Sequence, residues 1–81
     1  MIVQVRLFAA ARELCGLSVA TIELPAGATV GQLRVALAAR HPPLAPLLPH
    51  VLFATASQYV GDAALLAAGA EVACIPPVSG G

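Results

Sequence analysis

Apolar and polar positions alternate from the start of the chain. Between Ile2 and Phe8, Val3, Val5 and Leu7 fall on one side and Ile2, Gln4, Arg6 and Phe8 on the other. Period two with one wholly apolar side predicts a strand over a core. Phe8 is the exception, an aromatic on the side that carries Gln4 and Arg6. The pattern leaves it either as an edge residue folded over the core or as an exposed contact. Ala9 to Leu14 are helix formers, and Gly16 supplies a stop. Ser18 to Leu24 alternates again, with Ala20, Ile22 and Leu24 opposite Val19, Thr21 and Glu23. The short separation predicts an antiparallel pair. After the Pro25-Ala26-Gly27-Ala28 loop, Thr29 and Gln32 have capping-box spacing. Val30, Leu33 and Leu37 then recur at helical intervals, with Ala36 between them, and Arg34 and Arg40 lie elsewhere on the wheel. Arg40 suits the last turn of this main helix, which ends before Pro42-Pro43.

Prolines between Pro42 and Pro49 argue against regular structure there, with Leu44, Leu47 and Leu48 tucked under the sheet. The run from Val51 to Val60 predicts one further strand. Gly61-Asp62 reads as a turn, Leu65 and Leu66 as residues that pack back, and Gly69 as a tight turn. In a last strand, Val72 and Cys74 share one face and Glu71, Ala73 and Ile75 the other. Ile75 thus repeats the anomaly of Phe8. The order strand, strand, helix, strand, strand predicts an α+β domain. Its mixed sheet has one main helix packed across one face, with the first and last strands adjacent and parallel at the centre. The domain occupies residues 1–76, and 77–81 form an extended tail.

Composition narrows the functional classes. Eighty-one residues suffice for one small domain. Apolar residues make up 59% of the chain, but 18 of them are Ala, so the mean hydropathy of +0.90 overstates its oiliness. No apolar run approaches the roughly 18 residues that cross a bilayer, and the first residues lack the pattern of a signal peptide. A cytoplasmic protein is expected. Four Arg, no Lys, three Glu and one Asp give no basic footprint for nucleic acid and no polybasic patch for a membrane. So weakly charged a surface suits a protein that rests against a partner. Cys15 and Cys74 lie far apart, without CxxC spacing or a His pair, and read as small hydrophobes rather than a disulfide or zinc site. His41 and His50 stand alone beside prolines and receive no role. There is no catalytic triad, metal motif or phosphate loop.

The remaining chemistry lies in Pro76-Pro77-Val78-Ser79-Gly80-Gly81. Two prolines favour an extended path, and two glycines can enter a channel that would exclude a Cβ. From Pro77 to Gly81 an extended chain reaches roughly 16 Å. By composition alone such an end is often merely frayed. Two segments give it a context. Leu7-Phe8-Ala9-Ala10-Ala11-Arg12-Glu13-Leu14-Cys15-Gly16 is similar to an FA-x-x-REL-x-G pattern, and the ending runs from Glu71-Val72-Ala73 to Gly80-Gly81. Over its whole length the chain resembles the small, sulfur-carrying subunits of molybdopterin synthase, which are ubiquitin-like proteins of the β-grasp fold.

That resemblance implies that Gly81 is adenylated by a ubiquitin-activating-like adenylyltransferase and converted to a thiocarboxylate. ATP would be used by that enzyme, with no cofactor held permanently here. The tail, Pro76 to Gly80 leading to Gly81, would enter the large subunit, in a heterotetramer that converts cyclic pyranopterin monophosphate to molybdopterin. The chain would be no enzyme on its own. Phe8, Arg12, Tyr59 and Ile75 match positions at the family's partner contacts, although Arg12 also suits a pairing with a carboxylate and Tyr59 suits the core equally. Two departures concern turns. Ala56 stands where the family often has Asn, and Gly69-Ala70-Glu71 replaces a Gly-Asp-Glu turn. Both remove side chains that normally satisfy turn amides. Alternatives are a thiamine-type sulfur carrier, which usually lacks the Arg12-Glu13-Leu14 turn and the proline pair, a ubiquitin-like modifier of lysines, and an interaction domain with a passive tail.

Overall fold

A computed structural model describes residues 1–77 and places five strands and two helices in the order β1 (Ile2–Leu7), α1 (Ala9–Cys15), β2 (Val19–Glu23), α2 (Val30–Arg40), β3 (Leu52–Thr55), β4 (Gln58–Val60) and β5 (Glu71–Ile75). The five strands form one mixed sheet in the order β2-β1-β5-β3-β4. β1 and β5 are parallel, with Val5 beside Val72 and Leu7 beside Cys74, and the remaining pairs are antiparallel. The predicted α+β architecture is present, and it is the ubiquitin-like β-grasp.

Local signals explain the ends of the helices. Thr29 accepts from the Gln32 amide while the Gln32 side chain accepts from the Thr29 amide, so the capping box closes both ways. Gly16, at φ +76°, caps α1 in the left-handed conformation that other residues adopt at a cost. The interior lies between α2 and one face of the sheet. Val3, Val5, Leu7, Ile22, Phe53, Val72 and Cys74 meet Val30, Leu33 and Leu37 of α2 there, all of them buried. Leu44 and Leu48 close the bottom of this layer. No helix among the described residues is long and apolar enough to cross a membrane.

Three expectations change. The run from Val51 to Val60 holds two strands, a hairpin in which Phe53 pairs with Val60 and Thr55 with Gln58. Its two-residue turn, Ala56-Ser57, has φ of +48° and +66°. Such a turn matches the twist of the strands but ordinarily recruits Asn and Gly, so the usual sequence signal is missing. Between Pro42 and His50 the chain is not irregular but forms two short 3-10 helices, Pro42–Leu44 and Leu48–His50, each with a proline in its first two positions, where a missing N–H costs nothing. Leu66 packs inward while Leu65 is exposed. Backbone bonding fixes that choice: Leu66 N donates to Ala28 O, and Leu65 bridges Thr29 through the main chain.

Candidate functional site

Among the described residues no helix lies over the second face of the sheet. Strand alternation puts Gln4, Arg6, Leu52, Ala54, Tyr59, Glu71, Ala73 and Ile75 on this side, opposite the core residues of the same strands. Register divides it into rows. Tyr59, Ala54, Ala73, Arg6 and Val19 lie in line across all five strands. One row nearer the end of β5, Leu52 is paired with Ile75. Phe8 follows Leu7, the partner of Cys74, in extended conformation, which continues β1 alongside Ile75. An apolar row of Leu52, Ile75 and Phe8 therefore crosses the sheet where β5 ends. Leu52 is 55% exposed and Phe8 43%. At the opposite end of β5 the face turns polar. Arg6 Nε lies 2.9 Å from Glu71 Oε1, and Thr21 Oγ1 donates to Gln4 Oε1 at 3.0 Å. Both Arg6 and Glu71 are well exposed, and a pair in that setting contributes at most about 1 kcal/mol.

Between the two ends the surface is concave. An open depression of about 560 Å³ is lined by Arg6, Ser57, Tyr59, Glu71 and Ile75, together with the alanines at 54, 56 and 73. Tyr59, 68% exposed, stands at its margin. Phe8 is turned outward at the junction with α1, where Ala9 takes a left-handed φ of +48°. Arg12 is exposed on α1 and makes no ion pair among the described residues, where the two ion pairs are Arg6–Glu71 and Arg34–Asp62. Phe8, Ile75 and Tyr59 thus share one face. Arg12 is on the helix that borders the end of β5 rather than on the sheet. Beyond β5, Pro76 is buried and Pro77 exposed, so the chain is anchored up to the first proline. Val78, Ser79, Gly80 and Gly81, the part of the expected tail that carries the reactive end, lie outside the described residues.

Two residues escaped sequence reasoning. Leu52 belongs to the apolar row, and its neighbour, the wholly buried Phe53, is the signal that could have assigned it outward. Arg34 is the other. Its guanidinium stacks 4.9 Å from the centre of the Phe53 ring, pairs with Asp62 at 2.8 Å, and donates to the carbonyls of Leu48 and Val51. It ties α2 to the 3-10 segment and the start of β3, a structural task.

The open face gains no thiolate from Cys74 at neutral pH. Cys74 points into the core, and burial pushes its thiol up to about 11, with Arg34 pulling it partly back. A thiol so placed stays protonated and inert at neutral pH. No cluster of three or more potential metal ligands occurs among the described residues. What the geometry provides is a surface, with β5 leading out beside it through Pro76 and Pro77.

The model of the ThiS family matches residues 5–81. The chain belongs to the ThiS family. Within that family it is 40% identical over 82 residues to the molybdopterin synthase sulfur carrier subunit of Homo sapiens, covering 98% of this chain and 93% of that one. It is 37% identical over 79 residues to the protein of the same name from Arabidopsis thaliana, covering 98% and 82%. Among solved structures, SAMP1 of Haloferax volcanii, a small archaeal modifier protein, superimposes with a TM-score of 0.88 at 29% identity, each chain being covered completely. This ThiS family member is therefore a homologue of molybdopterin synthase sulfur carrier subunits, on the same ubiquitin-like scaffold as an archaeal modifier.

Proposed function

We propose that this chain is the sulfur-carrying small subunit of a molybdopterin synthase. The observation that carries the reading is full-length similarity to relatives of that name, within a family match that runs through Gly81. The open apolar row at the root of the tail supports it, because a carrier must be held by its partner beside the site where its end reacts.

In this reading the Gly81 carboxylate attacks the α-phosphorus of ATP on a ubiquitin-activating-like adenylyltransferase, which releases pyrophosphate and leaves an acyl-adenylate. A sulfide equivalent then displaces AMP and forms the thiocarboxylate. A carboxylate alone is a poor acyl donor, and adenylation supplies the leaving group it lacks. The resulting sulfur is a soft nucleophile, ionised at neutral pH. Gly80 and Gly81 bring no side chain into the partner's channel. The large subunit supplies the acid, base and phosphate contacts for converting cyclic pyranopterin monophosphate to molybdopterin. Phe8, Ile75 and Tyr59 bury against the partners, with Arg12 at the margin. The work takes place in the cytoplasm.

The test is to delete Gly81, or to add one residue after it, and assay molybdopterin formation with the large subunit and activating enzyme. Both variants fold normally and lose sulfur transfer. Normal turnover by the extended variant would show that the free end is not the working group. The likeness to SAMP1 favours a second reading, in which Gly81 forms isopeptide bonds with lysines. A ladder of higher-mass adducts in the presence of the activating enzyme would select it.

A further inference from the structure

Among the described residues the outer edge of β2 is paired with no other strand. β2 and β1 are antiparallel, with each pair of residue numbers separated so that Gln4 faces Thr21 and Arg6 faces Val19. At the two ends of this ladder Leu7 N donates to Ser18 O, and Leu24 N and Met1 O are bonded likewise. Hydrogen-bonded and non-bonded pairs alternate in an antiparallel ladder. Ser18, Ala20, Ile22 and Leu24 therefore direct their amides and carbonyls at β1, while Val19, Thr21 and Glu23 direct theirs outward. The strand is at the margin of the sheet, and these three residues are exposed.

Native sheets usually blunt such an edge with lysine, proline, a bulge or a very short strand. The opposite edge, β4, is only three residues long. β2 has five residues, Val-Ala-Thr-Ile-Glu, without proline, basic residue or interruption, and four of its five side chains are apolar or Thr. The three outward residues are symmetric about Thr21. We propose that two copies of this chain pair through β2, antiparallel about a two-fold axis at Thr21, to give one continuous ten-stranded sheet.

Register makes the seam self-complementary. Thr21 faces the second copy's Thr21, and Val19 faces its Glu23, each pair exchanging two backbone hydrogen bonds, about six in all. Side-chain rows then extend across the seam. The central row is Gln4, Thr21, Thr21 and Gln4, uncharged and already joined within each copy by the bond from Thr21 to Gln4. In each flanking row the order is Arg6, Val19, Glu23 and Ile2, so each Glu23 faces an uncharged Val19 across the seam, and neither faces its own kind. Like charges directly opposite each other would oppose pairing, and this register sets none together. The apolar row of Leu52, Ile75 and Phe8 is on a sheet face, and β5 is two strands away from the seam. Both tails and both partner faces stay accessible, so the pairing is independent of the sulfur-carrier reading.

The test uses the full chain, followed by sedimentation velocity from micromolar to millimolar concentration, with amide hydrogen exchange at the upper end. The wild type shows a concentration-dependent dimer, and the amides of Val19, Thr21 and Glu23 become protected as it forms. Thr21→Lys sets like charges opposite each other on the axis and raises the dimer dissociation constant at least about tenfold. Thr21→Pro removes an amide that donates nothing within the monomer and has the same effect, while the thermal transition of the diluted protein shows that each variant folds. A wild type that stays monomeric at millimolar concentration overturns the proposal. So does a dimer that survives both substitutions, or one that leaves those three amides exchanging freely.

Discussion

The two faces of the sheet are made from the same strands and differ in almost every other respect. Toward α2, alternate residues are large, apolar and fully buried, Val3, Val5, Phe53 and Val72 among them. On the reverse, residues one position away grade from the polar group of Gln4, Arg6 and Glu71 to the apolar row of Leu52, Ile75 and Phe8. The first face is what the fold requires. The second satisfies no folding requirement at its apolar end, where exposing Leu52 and Phe8 gains nothing for the isolated domain. An apolar surface that the monomer does not need is best explained by something that covers it.

Substitution can break this contrast. The largest effect falls on the core face. Phe53→Ala opens a cavity under the Arg34 guanidinium and lowers unfolding free energy by about 3–5 kcal/mol, measured by urea denaturation. Loss below about 1 kcal/mol would mean that the core is not organised around this ring.

Alkaline pH probes the same face through Cys74. Burial favours the thiol, so its proton is held to about pH 11 in the folded chain, against 9.0 for an ordinary cysteine. Between those values the unfolded chain has lost a proton that the folded chain keeps, and stability falls as pH rises. The contribution is complete below pH 9 and declines by on the order of 2–3 kcal/mol by pH 11. Cys74→Ala, compared with wild type in parallel titrations, removes that part of the slope.

At the rim of the open face, the hairpin turn holds Ala56 and Ser57 at positive φ. Ala56→Asn with Ser57→Gly supplies the residues that this turn prefers and raises stability by about 1 kcal/mol, read as a higher melting temperature. The smallest effect on stability belongs to the apolar row itself. Leu52→Glu changes unfolding free energy by less than about 0.5 kcal/mol. If the proposed sulfur-carrier function holds, the same variant weakens binding to a molybdopterin synthase large subunit at least about tenfold in a calorimetric titration, as loss of a central contact does. A variant that binds normally would take the row out of the interface.

How much of this was legible in the chain depended on whether a residue's fate is set locally. Period-two alternation in β1, β2 and β5 assigned both faces correctly, because a strand with one buried side cannot slip by one residue without exposing its core. Thr29 with Gln32 and the glycine at 16 fixed helix ends for equally local reasons. The β3–β4 hairpin was hidden because Ala56-Ser57 adopts a turn conformation that its residue types do not advertise, and without the turn Leu52 had no face. Arg34 was unreadable, since its partners are two backbone carbonyls and a carboxylate distant in sequence. Leu65 and Leu66 look alike in the sequence, and only main-chain bonds to Ala28 and Thr29 separate them. Phe8 and Ile75 were visible as apolar residues on a polar side, and the structure leaves Phe8 exposed there and Ile75 half-buried.

The sulfur-carrier account is tested most directly by the intact mass of the chain after incubation with ATP, its activating enzyme and a sulfur donor. The account predicts a gain equal to one oxygen exchanged for one sulfur, localised by fragmentation to Gly81. An unchanged mass, under conditions in which the same enzyme adenylates a known carrier, would contradict it.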